Sequence, residues 1–139
     1  MNVEHFVDTN ILVYAHDKSA GRRHEIAKAL VSTLWEQKNA AISTQVLQEF
    51  YATVSKNVLN PGDSKTARRW LTNYLQWQVI DNDGASVLRA IDIEQRHQLS
   101  FWDAMIVQAA ILSGAKTLFS EDLNNGQKYG RVTVQDPFQ

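Results

Sequence analysis

Short apolar runs alternate along the chain with longer stretches in which apolar residues recur at helical spacing. The short runs predict β-strands at residues 3–7, 40–43, 78–80, 117–120 and 131–134. The longer stretches predict α-helices at residues 11–15, 22–37, 46–54, 67–75, 87–97 and 103–113. Strands that alternate with helices favour a parallel sheet sandwiched between helical layers, so we expect an α/β fold.

The helix at residues 103–113 is apolar on nearly all sides, which predicts that it is buried on most of its surface, and Gly114 is a typical residue to end it. Asp8 directly follows the first predicted strand, and Asp122 follows the fourth. Ligands of parallel sheets bind beyond the carboxyl ends of the strands. We therefore expect a functional site at this edge of the sheet.

The composition is that of an ordered globular protein: 139 residues, 44% apolar and 21% charged, with no internal repeat and no flexible linker. We expect one domain that spans residues 1–139. The absence of cysteine excludes disulfides, thiolate catalysis and cysteine-based zinc sites. Because the net charge is only -1, any contact with phosphate must come from local basic patches or a bound cation.

No basic segment leads into a long apolar run at the N-terminus, and no stretch approaches the length of a membrane span. These features favour a cytoplasmic protein with no membrane contact. The histidines lack the close spacing of a zinc motif, and we expect surface or half-buried side chains rather than ligands at His5, His16, His24 and His97.

Acidic residues recur near predicted strand ends and helix starts. The candidates for a functional site are Asp8, Glu49, Asp103 and Asp122. Each alone also has an ordinary structural explanation, as a helix cap, a first-turn residue, a solvated helix position or a turn residue. Glu121 could take the role given to Asp122. The combination is more informative, because the expected sheet would bring the ends of the first and fourth strands together.

Carboxylates gathered in one place repel one another unless a cation lies among them. Oxygen-only ligands suit hard cations such as Mg²⁺ or Mn²⁺, which keep several waters and bind substrate phosphates. The acidic pattern therefore favours metal-assisted chemistry on a phosphate.

Several segments of the chain resemble the successive motifs of PIN-domain ribonucleases. They are residues 7–14 (VDTNILVY), 48–50 (QEF), 100–104 (SFWDA) and 118–123 (LFSEDL). The resemblance extends from residue 3 to about residue 134, and within the family the chain is most similar to the VapC toxins of bacterial toxin–antitoxin pairs.

The resemblance implies a three-layer α/β/α sandwich with a mostly parallel central sheet, and a metal-dependent endoribonuclease. The acidic quartet of the family falls on Asp8, Glu49, Asp103 and Asp122, and its supporting polar positions fall on Asn10 and Ser120. Members of the family bind Mg²⁺ or Mn²⁺ and cut RNA, often tRNA, leaving 5′-phosphate and 3′-hydroxyl ends. The resemblance also implies a small antitoxin as partner, and a homodimer.

Our assignment makes Asp8 and Asp103 the principal metal ligands, while Glu49 and Asp122 bind a second ion or take a proton from water. Two basic clusters could contact RNA phosphates, although both could also be ordinary solvated helix faces. The clusters are Lys18, Arg22 and Arg23, and Lys65, Arg68 and Arg69. Trp102 beside Asp103 could stack on a base, whereas the pattern around Trp70 favours a core position.

Other functions remain open from the residues alone. A phosphatase that uses Asp8 as its nucleophile would need a second aspartate two positions later, where Asn10 stands. A phospho-receiver module would need an acidic neighbour of Asp8 and a lysine after a strand, but Lys116 precedes its strand. An RNA-binding module without catalysis would need no divalent ion.

Overall fold

Six short strands form one sheet in the computed structural model, which describes residues 2–139. The strands are β1 (His5–Val7), β2 (Ala40–Ser43), β3 (Gln78–Ile80), β4 (Thr117–Phe119), β5 (Lys128–Tyr129) and β6 (Val132–Gln135). Their order across the sheet is β3-β2-β1-β4-β6-β5, and all neighbours are parallel except β5 and β6. The predicted α/β fold with a mostly parallel central sheet is therefore confirmed.

Helices connect the strands and cover the sheet. They are α1 (Thr9–His16), α2 (Arg22–Gln37), α3 (Thr44–Asn57), α4 (Ser64–Tyr74), α5 (Gly84–His97) and α6 (Phe101–Ser113), with a 3₁₀ turn at Lys18–Ala20. Helices α1 to α4 pack on one another, and α5 packs on α6. Within residues 2–139, no helix combines the length and apolar character that crossing a membrane requires.

The core lies between the central strands and the helices. Phe6, Val7 and Leu118 in β1 and β4 are fully buried, as is most of α6 between Ala104 and Ala110. Burial of each such large apolar side chain stabilises the fold by about 1.5–3 kcal/mol. The predicted burial of the helix before Gly114 is confirmed, and Gly114 ends it in the left-handed conformation that glycine tolerates best.

Helix α6 begins two residues earlier than the apolar pattern predicts. Ser100 is its N-cap, and its hydroxyl oxygen accepts a hydrogen bond from the backbone N–H of Asp103 at 3.1 Å. Asp103 therefore lies in the first helical turn, where a carboxylate is favoured by the helix dipole.

The sequence pattern did not predict strand β5, because two residues are too few to show a period. Lys128 and Tyr129 pair antiparallel with β6 through a tight turn at Gly130, whose φ of 60° favours glycine. The fifth predicted strand, at residues 131–134, corresponds to β6.

The strand order reverses at the centre of the sheet, between β1 and β4, and this reversal creates a crevice at the carboxyl ends of these two strands. The chain passes from β1 to β2 on one side, whereas β4 pairs with β1 on the other side. Such a switch point separates the connections that leave neighbouring strands and opens space for a ligand. The residues that follow β1 and β4 are therefore placed at the mouth of this crevice.

Candidate active site

Asp8 lies at the carboxyl end of β1 and forms the N-cap of α1. Its Oδ1 accepts the backbone N–H of Thr9 at 2.7 Å, and its Oδ2 accepts the hydroxyl of Ser120 at 2.8 Å. Only 6% of the residue is exposed. Burial raises the pKa of Asp8 from 3.8 to about 7; the two hydrogen bonds oppose that rise, and the charges of Asp122 and Glu49 add to it.

Glu49 projects from α3, and donors from two elements hold its carboxylate. Thr9 Oγ1 donates to Oε1 at 2.7 Å, and Gln45 Nε2 donates to Oε2 at 3.4 Å. Thr9 and Gln45 are both buried, and sequence analysis assigned neither of them a role. A signal was present in each case, because Thr9 follows Asp8 directly and Gln45 lies four residues before Glu49 on the same helix face.

Asp122 and its neighbour Glu121 have different surroundings. Asn10 Nδ2 donates to Oδ2 of Asp122 at 3.3 Å, and the backbone N–H of Asp122 donates to Ser120 Oγ at 3.2 Å. The Glu121 carboxylate instead accepts hydrogen bonds from the Tyr14 hydroxyl and from Arg23 Nε, the latter at 3.0 Å. Burial, followed by the hydrogen bond to Glu121, raises the pKa of Tyr14 to about 12.

All the predicted acidic residues line one open pocket of about 340 Å³. Its walls are formed by Asp8, Thr9, Asn10, Gln45, Glu49, Ala52, Thr53, Trp102, Asp103, Ile106 and Asp122. Glu121 does not line it. The pKa of Asp122 is raised by partial burial and by the charges of Asp103, Glu121 and Glu49. The pocket is therefore a region of negative potential.

The acidic side chains surround this pocket without closing around one point. Among residues 2–139, no three histidine or acidic side chains are close enough together to enclose a metal ion by themselves. The donor set is nonetheless all oxygen, which suits a hard cation that keeps several waters. An open arrangement leaves coordination positions for water and for a phosphate.

The two basic clusters lie outside the pocket walls. Lys65, Arg68 and Arg69 line a shallow depression on α4, together with Thr72 and Asn73. In the other cluster, the guanidinium of Arg23 forms an ion pair with Glu121 and lies over the ring of Phe138. Arg22 Nη1 donates to the Phe138 carbonyl at 3.4 Å, and Lys18 lies in the exposed 3₁₀ turn. RNA contacts by these residues stay predictions.

His16, the last residue of α1, and Trp70 on α4 form part of an aromatic cluster. Their rings stack with centroids 4.2 Å apart, and His16 Nε2 lies 2.8 Å from the Tyr74 hydroxyl. Burial lowers the pKa of His16 to about 4, so the ring is neutral at physiological pH. These contacts give His16 a packing role.

The PIN domain family model matches residues 5–128. No curated protein sequence matches the chain significantly.

Solved structures of toxin–antitoxin proteins share the fold. A toxin–antitoxin complex from Klebsiella pneumoniae is 22% identical with a TM-score of 0.69, over 96% of this chain and 98% of the other. VapBC2 from Rickettsia felis, bound to promoter DNA, is 20% identical with a TM-score of 0.66, over 96% and 98%. VapC20 from Mycobacterium tuberculosis, a toxin that cleaves the sarcin–ricin loop, is 20% identical with a TM-score of 0.64, over 84% and 88%. With the family model spanning most of its length, the chain belongs to the PIN domain family.

Proposed function

We propose that this protein is a divalent-metal-dependent endoribonuclease and the toxin of a toxin–antitoxin pair. One observation carries the proposal: Asp8, Glu49, Asp103 and Asp122 come from separate segments of the chain and line the same pocket. Such a concentration of carboxylates is costly without a counter-charge, and the charges of Asp122 and Glu49 add to the rise that burial causes in the pKa of Asp8. PIN-domain membership supports nuclease chemistry at this place.

The donor set of the pocket suits Mg²⁺ or Mn²⁺. Asp8 and Asp103 would be the principal ligands, and Glu49 and Asp122 would bind a second ion directly or through water. Thr9 and Ser120 supply the outer hydrogen bonds that orient ligating carboxylates. When bound, the cation lowers the pKa of water and offsets charge on the phosphate.

The chain's own side chains supply the remaining chemistry. A carboxylate oxygen of Glu49 or Asp122 accepts the proton of the attacking water, because both side chains are exposed on the pocket wall. Asn10 fixes the Asp122 carboxylate by its hydrogen bond at 3.3 Å. The water oxygen bonds to phosphorus as the P–O3′ bond breaks, and the 3′-oxygen takes a proton from solvent. The hydrolysis therefore leaves a 5′-phosphate on one fragment and a 3′-hydroxyl on the other.

Two observations support the assignment as a toxin: the resemblance of the sequence to VapC toxins, and the toxin–antitoxin proteins that share this fold. Structures that share the fold include a toxin–antitoxin complex from Klebsiella pneumoniae and VapBC2 from Rickettsia felis. A small antitoxin would cover the acidic pocket, and the protein would form a homodimer. The RNA substrate would be a single-stranded or structured RNA, such as tRNA.

Incubation of purified protein with total RNA tests the proposal. We expect cleavage with Mg²⁺ or Mn²⁺ and none with chelator, and we expect Asp103→Asn to lower the rate by at least about a hundredfold. Asp92→Asn is the matched control, because Asp92 is exposed on α5 and does not line the pocket. Cleavage by Asp103→Asn at the parent rate would refute the site, and hydrolysis of p-nitrophenyl phosphate without RNA cleavage would favour a phosphatase.

A further inference from the structure

Trp102 is a large aromatic side chain that the fold leaves uncovered beside the acidic pocket. It is 63% exposed, and it lines the same pocket as Asp103, the next residue. Its ring meets Phe101 edge-on, with centroids 5.1 Å apart and planes at 75°. Exposure of an indole costs free energy, so a ring held at the edge of a polar pocket is suited to binding another flat apolar group.

Gln45 fixes the backbone of Trp102 and presents an unsatisfied acceptor at the same place. Gln45 Nε2 donates to the carbonyl oxygen of Trp102 at 3.3 Å and to Glu49 at 3.4 Å. These two acceptors determine which end of the amide is the nitrogen. The other end, Oε1, is buried and has no hydrogen-bond partner within the part of the chain described, residues 2–139. Gln45 is itself 5% exposed and lines the pocket.

A buried acceptor without a donor is rare in folded proteins. Among the side chains that line the pocket, Trp102 is the aromatic one, and Gln45 is the buried amide. Gln45 Oε1 is shielded from an incoming donor, so the exposed ring of Trp102 is the feature open to a ligand, and it matches the flat π-face of a nucleobase.

We infer that Trp102 and Gln45 form a subsite for one unpaired nucleobase next to the scissile phosphate. The inference rests on the proposed RNA cleavage, because it places the phosphate at the carboxylates and the neighbouring base on Trp102. The indole stacks on the base, and Gln45 holds the backbone of Trp102 in place through the hydrogen bond from its Nε2. Stacking accepts every base, so this subsite selects for an unstacked nucleotide rather than for a sequence.

A fluorescence titration tests the subsite independently of cleavage. Asp103→Asn serves as the background, so that a short single-stranded RNA of mixed sequence stays intact. We expect this RNA to quench tryptophan emission, and Trp102→Phe to remove the quenching. We expect Trp102→Ala to weaken binding about tenfold, and Trp102→Phe to weaken it less. A fully abasic RNA of the same length should leave the tryptophan emission unquenched, and it should bind as weakly as the intact RNA binds Trp102→Ala.

Leu88→Ala provides the matched control, because Leu88 is 66% exposed on α5 and does not line the pocket. In the cleavage-competent protein, we expect Trp102→Ala to raise KM for the same RNA about tenfold while kcat changes little. Gln45→Met removes the donor that holds the Trp102 carbonyl, and it should weaken binding of the normal RNA but not of the abasic RNA.

The outcomes separate this inference from the proposed function. If the parent protein cuts no RNA with either metal, the proposed function fails, and the quenching titration still decides whether a base binds. If the parent cuts RNA, but Trp102→Ala leaves KM unchanged and abasic RNA quenches fully, the nucleobase subsite is wrong. The exposed ring would then serve a protein partner.

Discussion

The hydroxyl of Ser120 donates a hydrogen bond to Oδ2 of Asp8 at 2.8 Å, although 112 positions separate the two residues. The hydroxyl oxygen of Ser120 in turn accepts a hydrogen bond from the backbone N–H of Asp122 at 3.2 Å. One fully buried hydroxyl therefore joins the residue after β1 to the loop after β4. Thr9 acts similarly on the other side, since its backbone binds Asp8 and its hydroxyl binds Glu49. Two small polar residues thus set the relative positions of three carboxylates.

Asp8→Asn should stabilise the metal-free protein at neutral and alkaline pH. The folded state raises the pKa of Asp8 from 3.8 to about 7, so ionisation of this group opposes folding. The favourable contribution of Asp8 is fully present below pH 3.8 and is lost as pH rises through about 7. We expect Asp8→Asn to raise the free energy of unfolding at about pH 8 by about 2 kcal/mol. Asparagine can accept the Thr9 N–H through its Oδ1 and donate to Ser120 Oγ through its Nδ2, which reverses the second hydrogen bond.

Urea unfolding of parent and variant in the presence of chelator measures this difference. The difference in the free energy of unfolding between parent and variant should narrow as pH falls from about 8 towards about 4, because the Asp8 side chain of the parent then becomes neutral. If the variant is less stable than the parent at alkaline pH, ionisation of Asp8 does not destabilise the fold.

Divalent cations should stabilise the parent protein in a pH-dependent manner. A ligand that binds only the folded state at a hundred times its Kd adds about 2.7 kcal/mol, which raises the melting temperature. Protons compete for Asp8 below its pKa of about 7, so the shift caused by Mg²⁺ should be larger at about pH 8 than at about pH 5. Thermal melts with Mg²⁺, compared with melts in NaCl of equal ionic strength, measure the shift in melting temperature that Mg²⁺ causes. An equal shift in Asp8→Asn would remove Asp8 from the ligand set.

Thr9→Val should lower RNA cleavage by about tenfold to a hundredfold while the protein stays folded. Valine has nearly the same shape but cannot donate to Oε1 of Glu49, which Thr9 Oγ1 does at 2.7 Å. Thr9→Ser keeps the hydroxyl and should restore most of the activity. Rates measured across a Mg²⁺ titration identify the cause, since a positioning role predicts a higher Mg²⁺ requirement.

Thr33→Val is the matched control, because the Thr33 hydroxyl bonds the Ala29 carbonyl on the exposed side of α2. Equal loss of activity in Thr9→Val and Thr9→Ser would indicate that packing, rather than the hydrogen bond to Glu49, is what Thr9 supplies.

Glu121→Ala should impair cleavage about tenfold without removing it. Glu121 is bound by Tyr14 and Arg23, and these contacts anchor the loop that carries Asp122. The ion pair is partly exposed, so we expect its removal to lower the stability of the fold only slightly. Cleavage rate and urea midpoint should be compared with Glu36→Ala, which changes an exposed glutamate of α2. A complete loss of activity would instead place Glu121 among the ligands.

Local patterns were sufficient to predict the elements that position the site. The strands that end before Asp8 and Asp122, and the buried helix that carries Asp103, follow from the spacing of apolar residues. The errors lie where local signals are weak. Strand β5 has two residues, and α6 begins at Phe101 because Ser100 caps it. A cap depends on one side-chain hydrogen bond, which apolar periodicity does not register.

The sequence by itself determined the fold class and the carboxylates that follow its strands, because burial periodicity is a local property of the chain. Only the tertiary structure decided which acidic neighbour reaches the pocket: Asp122 lines it, while Glu121 is held by Tyr14 and Arg23. It also decided that Thr9 and Gln45 hold Glu49. These assignments depend on hydrogen bonds between side chains from different elements, up to 112 positions apart. Such contacts exist only once the sheet has brought those segments together.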